Sequence, residues 1–300
     1  MEGAGPLSAA HAAGASASRV HSTSDSSSDN NRDCDRAEQR AGADARNRPQ
    51  PTKVIRVTDP IIVLSDIYLN LVGGSGQVNI LRGVNLSVDA GETVAVVGPS
   101  GSGKTTTLMI MAGLERATSG TVRVAGHDLG GMDEDALARF RRAHLGIVFQ
   151  SFHLVPTMTA LENAALPLEF SHAPDARDRA MAALAAVGLE GRARHYPAEL
   201  SGGEQQRVAL ARAFASAPRV ILADEPTGNL DTDTGRRVIE HLFRLREEHA
   251  TTLVLITHDR ELAARCGRQV RMEDGRLHEG GAAVPGASGD GGAAGVAEHA

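Results

Sequence analysis

A chain of 300 residues, 41% hydrophobic and 23% charged, has material for one sizeable α/β domain with a buried core or for two small ones. Its net charge of −6 supplies no global basic field for nucleic acid, which makes DNA and RNA poor partners. Two cysteines cannot build a disulfide framework and fit a reducing compartment, and no apolar run approaches the roughly 18 to 20 residues that span a bilayer.

From Gly3 to Asp44 the sequence is mostly Ala, Ser, Gly, Asp and Arg, with almost no large apolar side chain and no charged-then-apolar leader pattern. Such a stretch cannot offset its own ordering entropy, so residues 1–52, with Cys34, are read as a disordered extension. Between residues 53 and 279 short apolar runs alternate with helical patterns, which predicts a largely parallel sheet covered by helices. Ile61–Leu64 opens an alternating region that continues to Val88. With Thr121–Val124 it suits a small antiparallel sheet with one wet face. Thr93–Val97, Gly146–Phe149, Val220–Ala223, Thr252–Thr257 and Gln269–Met272 are the remaining strands, several of them continuous apolar runs of the buried parallel kind. Helical patterns cover Thr105–Leu114, Asp133–His144, Ala160–Leu168, Ala176–Val187, Glu204–Ala215, Asp233–His249 and Arg260–Arg265, the last of these followed by Cys266, read as a small buried hydrophobe. The Gly/Ala-rich residues 280–300 are again read as disordered.

The chemistry begins at Gly98, Pro99, Ser100, Gly101, Ser102, Gly103, Lys104, Thr105 and Thr106. They spell G-x-x-x-x-G-K-T between a strand and a helix, which is the context this nucleotide-phosphate cradle requires. Glycines are needed because backbone N–H groups must turn inward on phosphate oxygens. Lys104 brings a point charge, and it is one of only two lysines in the chain, Lys53 being the other. Thr105 offers a hydroxyl to Mg²⁺, and the helix that follows directs its positive end at the anion.

A second block, Val220-Ile-Leu-Ala-Asp-Glu-Pro-Thr227, ends a buried strand in two carboxylates. Asp224 is placed to hold the same Mg²⁺, and Glu225 to polarise a water for attack on the γ-phosphorus. A third block, Leu200-Ser-Gly-Gly-Glu-Gln-Gln-Arg207, sets Ser201, Gly202 and Gly203 as a Gly-rich turn at another helix start. Two phosphate-seeking helix starts in one chain are most simply reconciled by a head-to-tail homodimer, each copy closing its second turn over its partner's ATP.

With those blocks on the page, the sequence resembles the ATP-binding-cassette (ABC) ATPases. L-S-G-G-E-Q is that family's signature, with Ser201, Gly202, Gly203 and Glu204 among the nucleotide contacts. The order of phosphate loop, Gln150, signature, Asp224-Glu225 and His258 matches over roughly Ile61 to Leu277. The resemblance implies a P-loop NTPase with a RecA-like α/β core, an antiparallel β subdomain and a helical subdomain at about 151–205. It also implies that Gln150 touches Mg²⁺ and the attacking water, that Asn229-Leu-Asp231 faces the partner chain, and that His258 contacts the γ-phosphate. The family's usual adenine-stacking aromatic is replaced by Leu71, so adenine either rests on an aliphatic surface or meets Tyr68.

Phe149 to Asn163, Ser201 to Ala213 and Ala223 to Asp231 further resemble the LolD, MacB and FtsE branch, and within it the YbbA-like ATPases. That implies an ATP-hydrolysing homodimer, peripheral on the cytoplasmic face of the inner membrane. It would drive a separate FtsX/MacB-type permease that releases lipoproteins or exports hydrophobic cargo. The alternative is an FtsE-like ATPase that signals mechanically in cell division. The permease is expected near Gln150 to Asn163, where Phe152, Leu154, Val155 and Met158 either face it or pack the subdomain.

Overall fold

The computed structural model describes residues 59–73 and 76–279. The two expected disordered tails lie outside these residues, as does Cys34. Among the described residues, β1 (Ile62–Gly73), β2 (Gly76–Val88), β4 (Ser119–Val124) and β5 (His127–Asp128) form a four-stranded antiparallel sheet in the order β2-β1-β4-β5. The second sheet has six strands. It takes β3 (Thr93–Val97), β6 (Leu145–Val148), β7 (Val220–Asp224), β8 (Thr252–Ile256), β9 (Arg268–Glu273) and β10 (Arg276–Glu279) in the order β10-β9-β3-β8-β7-β6. Every neighbouring pair in it is parallel except β9 with β10.

Side chains alternate across a strand, so each parallel strand feeds two cores. Ala95, Ile221, Ala223, Leu253 and Leu255 join one apolar cluster with the helices of the 160–245 region. Val94, Val96, Val220, Leu222, Val254 and Ile256 join the other, which includes the antiparallel sheet. Burial on both faces explains why these runs read as continuously apolar.

The helices are α1 (Lys104–Met111), α2 (Glu134–His144), α3 (Ala160–Glu169), α4 (Ala176–Ala186), α5 (Gly202–Phe214), α6 (Thr232–Glu248) and α7 (Arg260–Ala264). Several begin on side-chain caps that satisfy otherwise orphaned N–H groups: Asp133 on α2, Thr159 with Glu162 on α3, Ser201 with Glu204 on α5, Asp231 on α6. Caps correct the expected boundaries: α5 starts at Gly202 rather than Glu204, and α1 stops at Met111 because Gly113 turns to φ 62°. Residues 151–205 hold α3, α4 and two short 3-10 turns at Glu190–Arg192 and Pro197–Glu199 before α5 begins. The loop between β6 and α3 is pinned by the fully buried Asn163. Its amide accepts from the Val155 N–H at 2.7 Å and donates to the carbonyls of Val155, Met158 and Thr159.

Candidate nucleotide site

The loop from Gly98 to Gly103 runs off the end of β3 and over the β9–β10 hairpin. A Cβ on Gly98 would lie 2.1 Å from the Met272 carbonyl, and Gly103, at φ 104°, is confined by Leu81 and Met272. The hairpin turn braces the loop in return, because the Gly275 N–H donates to the Ser102 carbonyl at 3.0 Å while its own carbonyl accepts from Arg82 at 2.8 Å. Ser102 is buried, and among the described residues its hydroxyl has no hydrogen-bond partner. The Lys104 ammonium lies back across the loop, donating to the carbonyls of Gly98 at 3.0 Å and Pro99 at 2.8 Å.

Beside the loop is a cavity of about 640 Å³ that gathers most of the expected groups. Ser100, Gly101, Gly103 and Lys104 to Thr106 line one side, with Gln150, Asp224 and Glu225 on the other. Burial pushes the Asp224 carboxyl above its ordinary range and the charge of Glu225 adds to this. The hydrogen bond from Thr105 and the charge of Lys104 act the other way. Thr105 and Asp224 thus meet as hard oxygen donors, the set that suits Mg²⁺.

Glu225 sits just beyond β7 at φ 42°, a left-handed backbone rare for a residue with a side chain. Its N–H is tied to the Ile256 carbonyl at 3.0 Å, and its Oε1 lies 3.3 Å from Nδ1 of the exposed His258. Glu225 also lines a second cavity of about 520 Å³ together with Asp231 and His258. Gln150 and Asn229 form a reciprocal pair: the Gln150 amide donates to Asn229 Oδ1 at 3.2 Å, and Asn229 donates back to the Gln150 carbonyl at 3.1 Å.

Ser201, Gly202, Gly203 and Glu204 do not line the phosphate cavity. They form a turn closed on itself. The Ser201 N–H and hydroxyl donate to Glu204 at 2.8 and 2.9 Å, and Ser201 Oγ accepts from the Glu204 N–H. The Ser201 N–H, with Arg192 at 3.4 Å, holds the Glu204 carboxyl below its usual range. Gly203 lets this turn press on α6, since a Cβ there would overlap Thr234 at 2.1 Å. Asp231 accepts from the Thr234 N–H at 3.0 Å, which keeps its carboxyl low.

Some lining residues escape the sequence. Arg82, Val78, Asp274 and Gly275 border the phosphate cavity. The Asp-Gly pair is a turn signal that could have disclosed the last hairpin, but nothing local marks β2 as part of a nucleotide wall. Tyr68 does not line the cavity; its ring lies against Gly83. Leu71, 47% exposed, stands cross-strand from Val78, 54% exposed.

Fold and cavity define a P-loop nucleotide-binding protein. The family model for ABC transporters matches residues 81–228. The chain is 53% identical over 208 residues to the ABC transporter ATP-binding protein YbbA of Escherichia coli K12, covering 69% of this chain and 91% of that one. It is 48% identical to the lipoprotein-releasing system ATP-binding protein LolD of Geobacter metallireducens, over 72% and 97% of the two chains. It is 44% identical to the macrolide export ATP-binding/permease protein MacB of Escherichia coli K12, over 73% of this chain but only 34% of that longer protein. Among solved structures it resembles a dimeric post-hydrolysis state of the cassette MJ0796 bound to ADP and Pi, with TM-score 0.68, 40% identity, and 73% and 98% coverage. The chain belongs to the ABC transporter ATP-binding proteins, as an ATP-hydrolysing subunit of the YbbA, LolD and MacB type.

Proposed function

We propose that two copies of this chain clasp ATP head to tail, each closing its Ser201 turn over the phosphate loop of the other. The observation that carries this is the division of the site: one chain's cavity holds Lys104, Thr105, Asp224 and Glu225, whereas its Ser201 turn lies outside. The phosphate loop N–H groups and Lys104 bind the β- and γ-phosphates. Asp224 and Thr105, with Gln150 alongside, would hold Mg²⁺, which would supply neutralisation of the developing phosphate charge. Glu225 accepts a proton from the attacking water, and His258 steadies the γ-phosphate beside it. Loss of that phosphate removes what the partner's Ser201 turn held, and the pair opens. Asp231 and Asn229 face the partner chain.

The work is delivered to a separate permease of the MacB/LolD type, through which the subunit sits peripherally on the cytoplasmic face of the inner membrane. Among the described residues no helix is long and apolar enough to cross a membrane. Macrolide export by MacB and lipoprotein release by LolD support a hydrophobic or lipid-anchored cargo. The docking site is a third cavity, about 630 Å³, between α2, β6 and α3, lined by Phe149, His153, Leu166 and Phe170. Leu154 instead packs against the core. The dimer is tested with Ser100→Cys and Ser201→Cys variants mixed under oxidising conditions. ATP-dependent disulfide-linked dimers are expected, and their absence in the presence of nucleotide would overturn the arrangement.

A further inference from the structure

Gln206, on α5, is fully buried. Its side-chain amide nitrogen donates to two main-chain carbonyls, that of Phe149 at 3.3 Å and that of Pro226 at 2.7 Å. Phe149 immediately precedes Gln150, and Pro226 immediately follows Glu225. One NH₂ group therefore uses both of its N–H donors to join the roots of the two loops that carry those residues. Further out the loops hold each other, through the Gln150–Asn229 exchange and through Gly228, where a Cβ would lie 2.6 Å from the Gln150 amide nitrogen. Asn229 is exposed, so water competes for the outer bonds, whereas the Gln206 tie is dry.

Two features set Gln206 apart from a residue that only satisfies buried carbonyls. Glu225 keeps its left-handed backbone, φ 42°, only while its surroundings over-determine it. It is bracketed by its own N–H on the Ile256 carbonyl at 3.0 Å and by Gln206 on the next carbonyl along the chain. The second feature is the other half of the amide: Gln206 Oε1 is buried and, among the described residues, has no hydrogen-bond partner. An unpaired buried acceptor weakens the fold, so stability alone does not account for an amide here. Its two donors do. The body they set the loops against is rigid, because α5 also holds the chain beyond Gln150, through Arg212 on the carbonyls of Phe152 and His153.

We propose that Gln206 is a positioning residue for ATP hydrolysis: by holding the Phe149 and Pro226 carbonyls on one side chain, it sets the spacing of Gln150 and Glu225 around the attacking water. Gln206 does not line the phosphate cavity and acts only through the two main chains. This rests on the reading of Glu225 as the base with Gln150 alongside.

The test uses the full-length chain. Gln206→Met keeps nearly the length and volume of the side chain and removes both donors. It is expected to lower kcat roughly tenfold to a hundredfold, the scale on which small misplacements of catalytic groups act. The Kd for ATP should stay within about twofold, because Lys104 and the phosphate loop are untouched. Gln206→Asn retains the donors on a side chain one methylene shorter, reaches one carbonyl at most and should fall between; it carries the test if Gln206→Met does not fold. Rates are taken well below each variant's melting temperature. Parental kcat in the folded variants, or losses of kcat matched by losses of ATP affinity and of folded protein, would overturn the positioning role. Glu225→Gln is measured alongside. If it hydrolyses ATP at the parental rate, the reading of Glu225 fails; if it is inactive while Gln206→Met turns over normally, only the role of Gln206 does.

Discussion

Nδ1 of His258 lies 3.3 Å from Oε1 of Glu225, joining the second residue after β8 to the first residue after β7. The contact sets the carboxylate at the mouth of the phosphate cavity, with its backbone fixed to Ile256. If Glu225 is the base, Glu225→Gln should reduce hydrolysis about 10²- to 10⁴-fold and retain ATP binding. The variant should elute as a dimer in ATP by size-exclusion chromatography. His258→Ala should slow turnover with Glu225 intact, and near-normal rates for both would remove the pair from the chemistry.

If the Ser201 hydroxyl meets the partner's nucleotide as proposed, Ser201 has two duties that substitution can separate. As N-cap of α5 its hydroxyl accepts from the Glu204 N–H, so Ser201→Ala should cost about 1 kcal/mol of stability as well as activity. Asn caps a helix nearly as well as Ser, so Ser201→Asn should melt close to the parent and still hydrolyse ATP poorly. Thermal melting and steady-state turnover measured together decide the matter. A well-folded and fully active Ser201→Asn would show that the hydroxyl never meets nucleotide.

Asp224 gives a pH prediction opposite to that of a salt-bridged carboxylate. Burial raises its folded pKa above the unfolded value. Its contribution to stability is therefore fully present below the unfolded pKa and is lost as pH rises through the folded one. In chelator and without nucleotide, Asp224→Asn should raise the melting temperature at neutral pH. The gain should shrink as pH falls through the raised folded pKa, where the parent takes up a proton as well. Mg²⁺-dependent hydrolysis should vanish throughout. A lower melting temperature at neutral pH would mean that Asp224 is already well compensated.

At the base end, Leu71 faces Val78 across the β1–β2 pair, and Val78 lines the cavity. Leu71→Tyr should tighten ATP binding roughly tenfold, the scale of stacking a base on an aromatic ring. Tyr68→Ala, whose ring rests on Gly83, should leave affinity unchanged. Isothermal titration with ATP checks both, and a loss of affinity in Tyr68→Ala would give the adenine to Tyr68.

Legibility followed how locally each feature is encoded. The phosphate loop, the paired carboxylates and the signature turn could be read because each packs its chemistry into a few successive residues. The alternation from Ile61 to Val88 announces antiparallel strands, but the register shifts between Leu64 and Ile67, and again after Leu69, belong to the pairing of two strands and have no mark in either one alone. The Gly275 brace, the Gln150–Asn229 exchange and the Gln206 tie were hidden for a related reason. Each joins segments far apart in sequence, and no single window contains both halves. A Cβ at Gly275 would lie 2.3 Å from the Ile80 carbonyl, a demand visible only once β2 and the last hairpin are in place.

The left-handed backbone at Glu225 has one more consequence. Glycine would occupy φ 42° without the conformational penalty of roughly 1 to 3 kcal/mol that a side chain incurs there. If Glu225 is the base, the heat-resistant version of this polypeptide is a dead one. Directed evolution for durability alone would then drift toward Glu225→Gly and silence the motor, unless selection also rewards turnover.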